Sequence, residues 1–448
     1  MKKRLISIIC ASALMMGVLT GCGGAGVDMP KDGTVDVGED KGGLDGVIEN
    51  LFGGTMEVKA ENLTANLGTA INMDYSIASY EPVQAFAYEL FRANMEKKNP
   101  VLSPVSAYLA LGMAGMGAKG DTLTEFQDVL GMDLVCIPHS LMTTLPREEK
   151  GMQISLANSA WVDDDFEAEK DYLVSIDSYY QSEVYRASLS AAQTMDDMNS
   201  WIDTNTNGLI DKLLEEPLDG DTRLVLFNTI YFKGEWMKEF DKNNTREEDF
   251  TLADGSVEKV DMMHLYQENL PYVNTENATG VILPYKGGDV AFVALMPNGT
   301  DTVRGMYEKL TWEDISEMMK NQNWTLCNLQ LPKFEVEFSK KLNDSLINMG
   351  LVKAFDGAEA DLSGMGTSKD GGNIFIDLVQ QKAVVIVDEE GTEAAAVTEV
   401  VVNTESCVMY EEPPVDIFFN RPFVYMIVDL EKDIPLFVGI MDDPNMQE

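Results

Sequence analysis

Cysteine and histidine are scarce in these 448 residues, with five of the first and two of the second. Cys10 and Cys22 fall in the first 22 residues, which leaves Cys136, Cys327 and Cys407. That odd count, at that spacing, suits neither a disulfide framework nor a zinc site. His139 and His264 stand apart from any ligand set, so no metal and no cofactor is expected, and a Ser–His–Asp triad has little material. Neither a G-x-S-x-G elbow nor an H-E-x-x-H helix occurs. Positive charge is also in short supply: 33 Lys and Arg stand against 75 Asp and Glu, a net charge of −42. Nucleic acid, heparin-like polymers and anionic membrane faces are therefore poor ligands. Two apparent motifs fail on inspection. "GMGAKG" (115 to 120) matches G-x-G-x-x-G, but a helical pattern precedes it where a dinucleotide loop needs a strand. Its glycines read as a helix end with close packing. "WVDDDFEAE" (161 to 169) lacks the EF-hand spacing and reads as a solvated turn. The chain does not read as an enzyme.

The amino terminus is distinctive. Lys2, Lys3 and Arg4 precede an apolar run from Leu5 to Val18, too short to favour a spanning helix and suited to a secretion signal. It closes on Leu19-Thr20-Gly21-Cys22, which resembles a bacterial lipobox. Residues 1–21 are thus expected to be a signal peptide and Cys22 the lipid attachment site. That would anchor the chain to a bacterial envelope, outside the cytoplasm, or leave it released to the extracellular space. Several acyl chains on one cysteine hold a protein where one chain would not. Residues 22–74 are rich in Gly, Asp, Thr and Asn with no sustained period, and read as a flexible tether. About 50 such residues have a mean span of about 40 Å. Residues 75–448 show no linker or internal repeat and read as one large domain, a monomer.

Within that domain, residues 81–96 carry Phe86, Leu90 and Phe91 on one helical face. Ser103 is a good N-cap and Pro104 a good first helical residue. Residues 224–234, 281–297, 327–338, 373–391 and 418–441 are strand-like, several bounded by turn residues. Helices followed by long strands imply an α+β architecture with large antiparallel sheets. One segment stands out near the end: "GTEAAAVTEVVVNTESC" (391 to 407), strand-like in composition yet flanked by Asp388, Glu389 and Glu390 on one side and Glu411, Glu412, Pro413 and Pro414 on the other.

Eight stretches in order, "NPVLSPVSAYLALGMAGMGAKG" (99 to 120), "FNTIYFKGEWMKEF" (227 to 240), "LPYKGG" (283 to 288), "LPKFEVEF" (331 to 338), "ADLSGM" (360 to 365), "DEEGTEAAA" (388 to 396), "FNRPF" (419 to 423) and "PLFVGIM" (435 to 441), resemble the serpins. The resemblance implies three β-sheets, eight or nine helices and an exposed reactive-centre loop. For most members it implies covalent trapping of serine or cysteine proteases. The 391–407 segment becomes the loop that a protease attacks, and that then inserts as a central strand of the main sheet.

The residues fit such an insertion. Alternate positions facing the core would be Thr392, Ala394, Ala396, Thr398, Val400 and Val402, small or β-branched and uncharged. Glu393 and Glu399 fall on the other face, and no proline interrupts the ladder. Gly391 is expected to supply a bend. Residues 391–405 span about 50 Å as a strand, close to the roughly 50–55 Å diameter of such a domain. The family's usual interval, seventeen residues from Glu389, puts the reactive bond between Glu405 and Ser406. The resemblance assigns Glu389, Gly391, Thr392, Ala394, Ala396 and Thr398 to the loop hinge. It assigns Ser103, Ser106, Asn228 and Gln381 to the shutter beneath the sheet, and Trp236 to the breach where insertion starts. Gln381 stands where many serpins carry histidine, and glutamine cannot gain a proton. With no Lys or Arg between Gly391 and Asn420, the expected target is an elastase-like or Glu-tolerant serine protease, not a trypsin-like one. The other reading is a serpin-fold binding or carrier protein that no longer inhibits.

Overall fold

The computed structural model describes residues 59–65, 79–220, 222–369, 371–392 and 413–446. Cys22, Ala394, Ala396, Thr398, Glu405, Ser406 and Cys407 lie outside them. The described residues form nine α-helices and sheets of eight, nine and two strands, as the α+β reading expects.

Seven strands make up the path of the main sheet: β1 (Glu61–Asn62), β2 (Met152–Asp163), β3 (Ser182–Ala187), β4 (Leu224–Glu235), β5 (Phe334–Lys341), β6 (Gln380–Val387) and β7 (Gly391–Thr392). Their order across the sheet is β1-β3-β2-β4-β7-β6-β5. β5 alternates cleanly, with Phe334, Val336 and Phe338 buried and Glu335 and Glu337 exposed, so one face of this edge meets solvent. β2 and β4 pair antiparallel from Met152↔Gly234 to Val162↔Leu224. Between β4 and β6 the only strand is the two-residue β7, and among the described residues no ladder joins β4 to β6 directly.

The nine-stranded sheet supplies the core. Its strands Val290–Pro297, Phe423–Asp429 and Ile434–Met441 are buried at every position. Helix α1 (Pro104–Gly115) packs with them and is itself buried throughout, as a helix apolar all round must be. Ser103 caps it by accepting a hydrogen bond from Ser106 N (3.4 Å), and Pro104 takes the first helical position where no donor is lost. Beyond its end, a Cβ on Gly117 would meet Met365 Cγ at 2.1 Å, so "GMGAKG" is indeed a helix end with close packing. Helix α2 (Ala192–Asn205) covers the other face of the main sheet. Its Met198, Trp201 and Ile202 form a second cluster with Trp161, Tyr185, Phe227 and Val384, which come from β2, β3, β4 and β6.

Two sequence expectations are corrected. Residues 59–65, read as tether, lie on the domain. Glu61 and Asn62 pair with Arg186 and Tyr185, and Asp197 of α2 accepts from Lys59 N (3.0 Å) and Ala60 N (3.1 Å). The open edge of β3 offers ladder partners that composition does not reveal. Residues 373–379, read as strand, join no ladder; Ile374, Ile376 and Val379 are buried there instead, with Ile376 N bonded to Ala354 O.

Candidate functional site

The site is the gap between β4 and β6 and the chain that enters it. Asp388 to Gly391 make a tight turn in which Asp388 Oδ1 accepts from Glu390 N (2.8 Å) and Gly391 N (3.1 Å). Trp236, just past β4, clamps the turn: its Nε1 donates to Asp388 O and its backbone N to Glu390 O, both at 2.8 Å. The buried Glu389 carboxylate takes Lys333 Nζ at 2.8 Å and Thr245 Oγ1 at 2.7 Å. Burial alone would raise its pKa; the bonds from Lys333 and Thr245, with the lysine's charge, outweigh that and hold the carboxyl below its ordinary value. Glu390 pairs with Lys242 at the surface.

Next, the chain passes into the sheet. Gly391 and Thr392 pair with Glu235 and Gly234 on β4, while Thr392 also faces Val387 on β6. A Cβ at Gly391 would lie 2.0 Å from Gly234 O and 2.8 Å from Glu235 Cα. Glycine is required here by close approach to β4, not by the bend the sequence suggested; its φ is not in the left-handed region. Thr392 is 3% exposed, and its hydroxyl lies 2.6 Å from the Tyr285 hydroxyl. Tyr285 in turn stacks on Trp236 (4.8 Å between centroids, 10°) and meets Phe232 edge-on. Burial pushes the Tyr285 phenol far above its usual pKa, so it stays protonated.

Below, both walls of the gap are pegged to the start of α1. On the β6 side, Gln381 Oε1 accepts from Ser103 N (2.9 Å) and Nε2 donates to Ser103 O (2.8 Å). Both halves of one amide are thus satisfied by one residue's main chain. On the β4 side, Ser106 Oγ donates to Asn228 O (3.2 Å), and Asn228 Nδ2 donates to Asn158 Oδ1 (2.6 Å). Asn158 closes the chain on Tyr180 O (2.7 Å). Asn228 Oδ1 and Thr229 Oγ1 are buried here with no hydrogen-bond partner. A cavity of about 30 Å³ remains between the walls, lined by Ser103, Ser106, Phe227 and Gln381 among others, and roofed by Ile202 and Thr206.

The expected shutter residues Ser103, Ser106, Asn228 and Gln381 therefore meet in one place, and Trp236 sits where Gly391 enters the sheet. Sequence reasoning missed Tyr285, Asn158, Lys333 and Thr245. Tyr285 and Lys333 lay within the "LPYKGG" and "LPKFEVEF" stretches, which was the one available signal.

The profile of the family described as "Serpin (serine protease inhibitor)" matches residues 81–444. The chain belongs to the serpin family. Among curated relatives, human Serpin B4 is 34% identical over 387 residues, covering 80% of this chain and 97% of that protein. Iripin-8 of Ixodes ricinus is 33% identical over 361 residues, covering 77% of this chain and 88% of its own. Among solved structures, the thermophilic serpin tengpin in its native state matches with a TM-score of 0.79 and 33% identity, over 86% of this chain and all of that one. Tengpin in its latent state matches less well, at 0.71 and 32% identity over 82% of this chain and 99% of that one. A protease-inhibitor type of function follows from the family, and the fold is the serpin fold.

Proposed function

We propose that this serpin is inhibitory and traps an elastase-like or Glu-tolerant serine protease as a covalent acyl-enzyme. The protease serine hydroxyl attacks the Glu405 carbonyl, the Glu405–Ser406 bond breaks, and the Ser406 nitrogen leaves with a proton as a new amino terminus. An ester then joins the protease serine to Glu405, an intermediate that water would normally hydrolyse. Insertion of the loop from Thr392 onward, with Ala394, Ala396 and Thr398 on the core-facing side, carries the ester across the molecule before water acts. The observation that carries this reading is β7: two loop residues already occupy the strand position between β4 and β6, and nothing else does so among the described residues. The core-facing hinge positions Thr392, Ala394, Ala396 and Thr398 hold none of the bulky, charged or proline residues that would block insertion.

The test is to mix the protein with pancreatic elastase, resolve the products on a denaturing gel, and determine the mass of the released carboxy-terminal peptide. A covalent complex with a peptide starting at Ser406, or within two residues of it, is expected. Clean cleavage with no complex refutes inhibition and favours the carrier reading. A fragment starting after Met409 would mean that the bond is misassigned. We further propose that Cys22 is lipidated and holds the domain outside a bacterial cytoplasm; Cys22→Ser should then move the protein from the membrane fraction to the soluble fraction.

A further inference from the structure

The register of β7 fixes what the next loop residue meets on entering the sheet. Gly391 faces Glu235 and Thr392 faces Gly234, so each step along the loop is one step back along β4. When this ladder grows by one pair, Glu393 comes opposite Lys233. On the other wall Val387 already faces Thr392, which makes Ile386 the partner of Glu393 there.

Directly opposed residues share a face of the sheet. Gly234 and Thr392 face inward: a Cβ on Gly234 would lie 2.7 Å from Tyr285 Cδ1, and the Thr392 hydroxyl bonds the Tyr285 hydroxyl. By alternation, Lys233 belongs to the outer face, on which Val225 and Phe227 meet α2. Glu393 would enter on that face too, as the first charged residue after Thr392.

Among the described residues, Lys233 has neither an ion pair nor a side-chain hydrogen bond. Its ladder neighbour on β2 is Gln153, a neutral amide. Glu235, two residues on and on the same face, is held by Lys286 at 2.6 Å. Ile386 is apolar and packs against the α2 cluster. A half-buried lysine thus stands beside the gap without a carboxylate, in a chain with 75 acidic residues against 33 basic ones. The carboxylate that the register brings to it is that of Glu393.

We propose that Lys233 is a positioning residue for loop insertion, receiving the Glu393 carboxylate across the ladder as the strand begins to fill. The inference rests on the insertion step of the trapping reading above. A carboxylate brought against Ile386 loses part of its water, and a lysine directly opposite offsets that cost. The attraction also acts before contact, over about 10 Å at ~0.1 M salt. It therefore aims Glu393 at the outer face and Ala394 at the core, where a slip of one residue would reverse the two.

Charge exchange tests the pairing, using Lys233→Glu, Glu393→Lys, the two together, and Lys98→Glu as the same charge change at an exposed site on neither wall of the gap. Two quantities are measured: the number of molecules needed per pancreatic elastase, and the melting temperature after nicking by a protease that is not trapped. Each single exchange sets like charges opposite one another, and should raise the number needed about five-fold and lower the nicked melting temperature. The double exchange should return both close to wild type, a rescue that damage to the fold at either position would not give. Lys98→Glu should match wild type. Single exchanges within about two-fold of wild type, or a double exchange no better than its singles, overturn the pairing and leave the trapping reading standing. If the unaltered protein forms no complex yet gains stability on nicking, trapping falls and the nicked series alone decides the pairing. If it does neither, both fall.

Discussion

Replacing Thr392 by arginine tests the mechanism at its entry point. Thr392 is 3% exposed, is paired to strands on both sides, and shares a hydrogen bond with Tyr285. Removing the hydroxyl strands the buried Tyr285 hydroxyl, at a cost of about 1–3 kcal/mol. Burying an unpaired guanidinium adds several kcal/mol. Glu235, which pairs with the neighbouring Gly391, is already held by Lys286 at 2.6 Å, so it offers little relief. The sum is of order 5 kcal/mol, which corresponds to a factor of more than 10³ against occupying this position. The foot should therefore leave the sheet, insertion after cleavage should slow, and hydrolysis of the acyl-enzyme should win. Titrating pancreatic elastase with each protein measures this directly. Wild type should inhibit at a stoichiometry near unity, whereas Thr392→Arg should need many molecules per protease and accumulate as cleaved chain. Thr392→Ser keeps the hydroxyl and should behave as wild type. An unchanged stoichiometry for Thr392→Arg would sink the insertion mechanism in this protein.

Nicking the loop with a protease that is not trapped should raise the melting temperature sharply, because a filled strand position replaces the gap between β4 and β6; no rise means that the loop does not insert. Glu389 contributes stability through a carboxyl whose folded pKa lies below its ordinary 4.5. That contribution is whole above the ordinary value and is lost as pH falls through the lower, folded one. Lys333→Met should thus cost about 2 kcal/mol near pH 7, allowing for the solvent that reaches the lysine, and progressively less as the pH falls below 4.5 and through the lower, folded value. A pH-independent difference in urea midpoints would refute the pairing. Asp197→Ala removes the acceptor for Lys59 N and Ala60 N, and hydrogen exchange should show faster opening of residues 59–65 and of α2 than in wild type.

Local chemistry was the legible part of the sequence. Ser103 and Pro104 announce a helix start by their own side chains, and the loop announces itself by small residues between acidic turns. Ser106, Asn228, Gln381 and Trp236 were placed by resemblance, and their geometry follows from α1 and β4 forming where the apolar pattern puts them. What stayed hidden depends on pairs far apart in the chain. Thr392 and Tyr285 are separated by 107 residues, and Asn158 and Asn228 by 70. Composition misled at residues 373–379, where an apolar alternation is buried under the sheet's end without any ladder. It misled again at 59–65, where a short stretch without strand alternation takes an edge position that only the free edge of β3 creates. Gly391 was identified correctly for the wrong reason, because a sequence shows that glycine is tolerated but not which neighbouring backbone demands it.

The gap between β4 and β6 is held open against the ordinary tendency of strands to pair. Asn228 Oδ1 and Thr229 Oγ1 remain buried without partners at its wall, each costing about 1–3 kcal/mol. The facing edges of the two strands share no ladder. Both walls are pegged to the first turn of α1, a helix buried on every side. On one wall the Gln381 amide makes two bonds to Ser103; on the other a single serine hydroxyl holds Asn228 O. Trp236, Tyr285 and Lys333 fix the foot of the loop at the top, and α2 roofs the cavity through Ile202. A strand entering from Thr392 would complete both ladders while the fixed helix start stays in place. On the proposed trapping mechanism, the energy for moving a protease would be stored as pairing the native sheet leaves unmade, and Gln381, having no proton to gain, keeps its peg independent of pH.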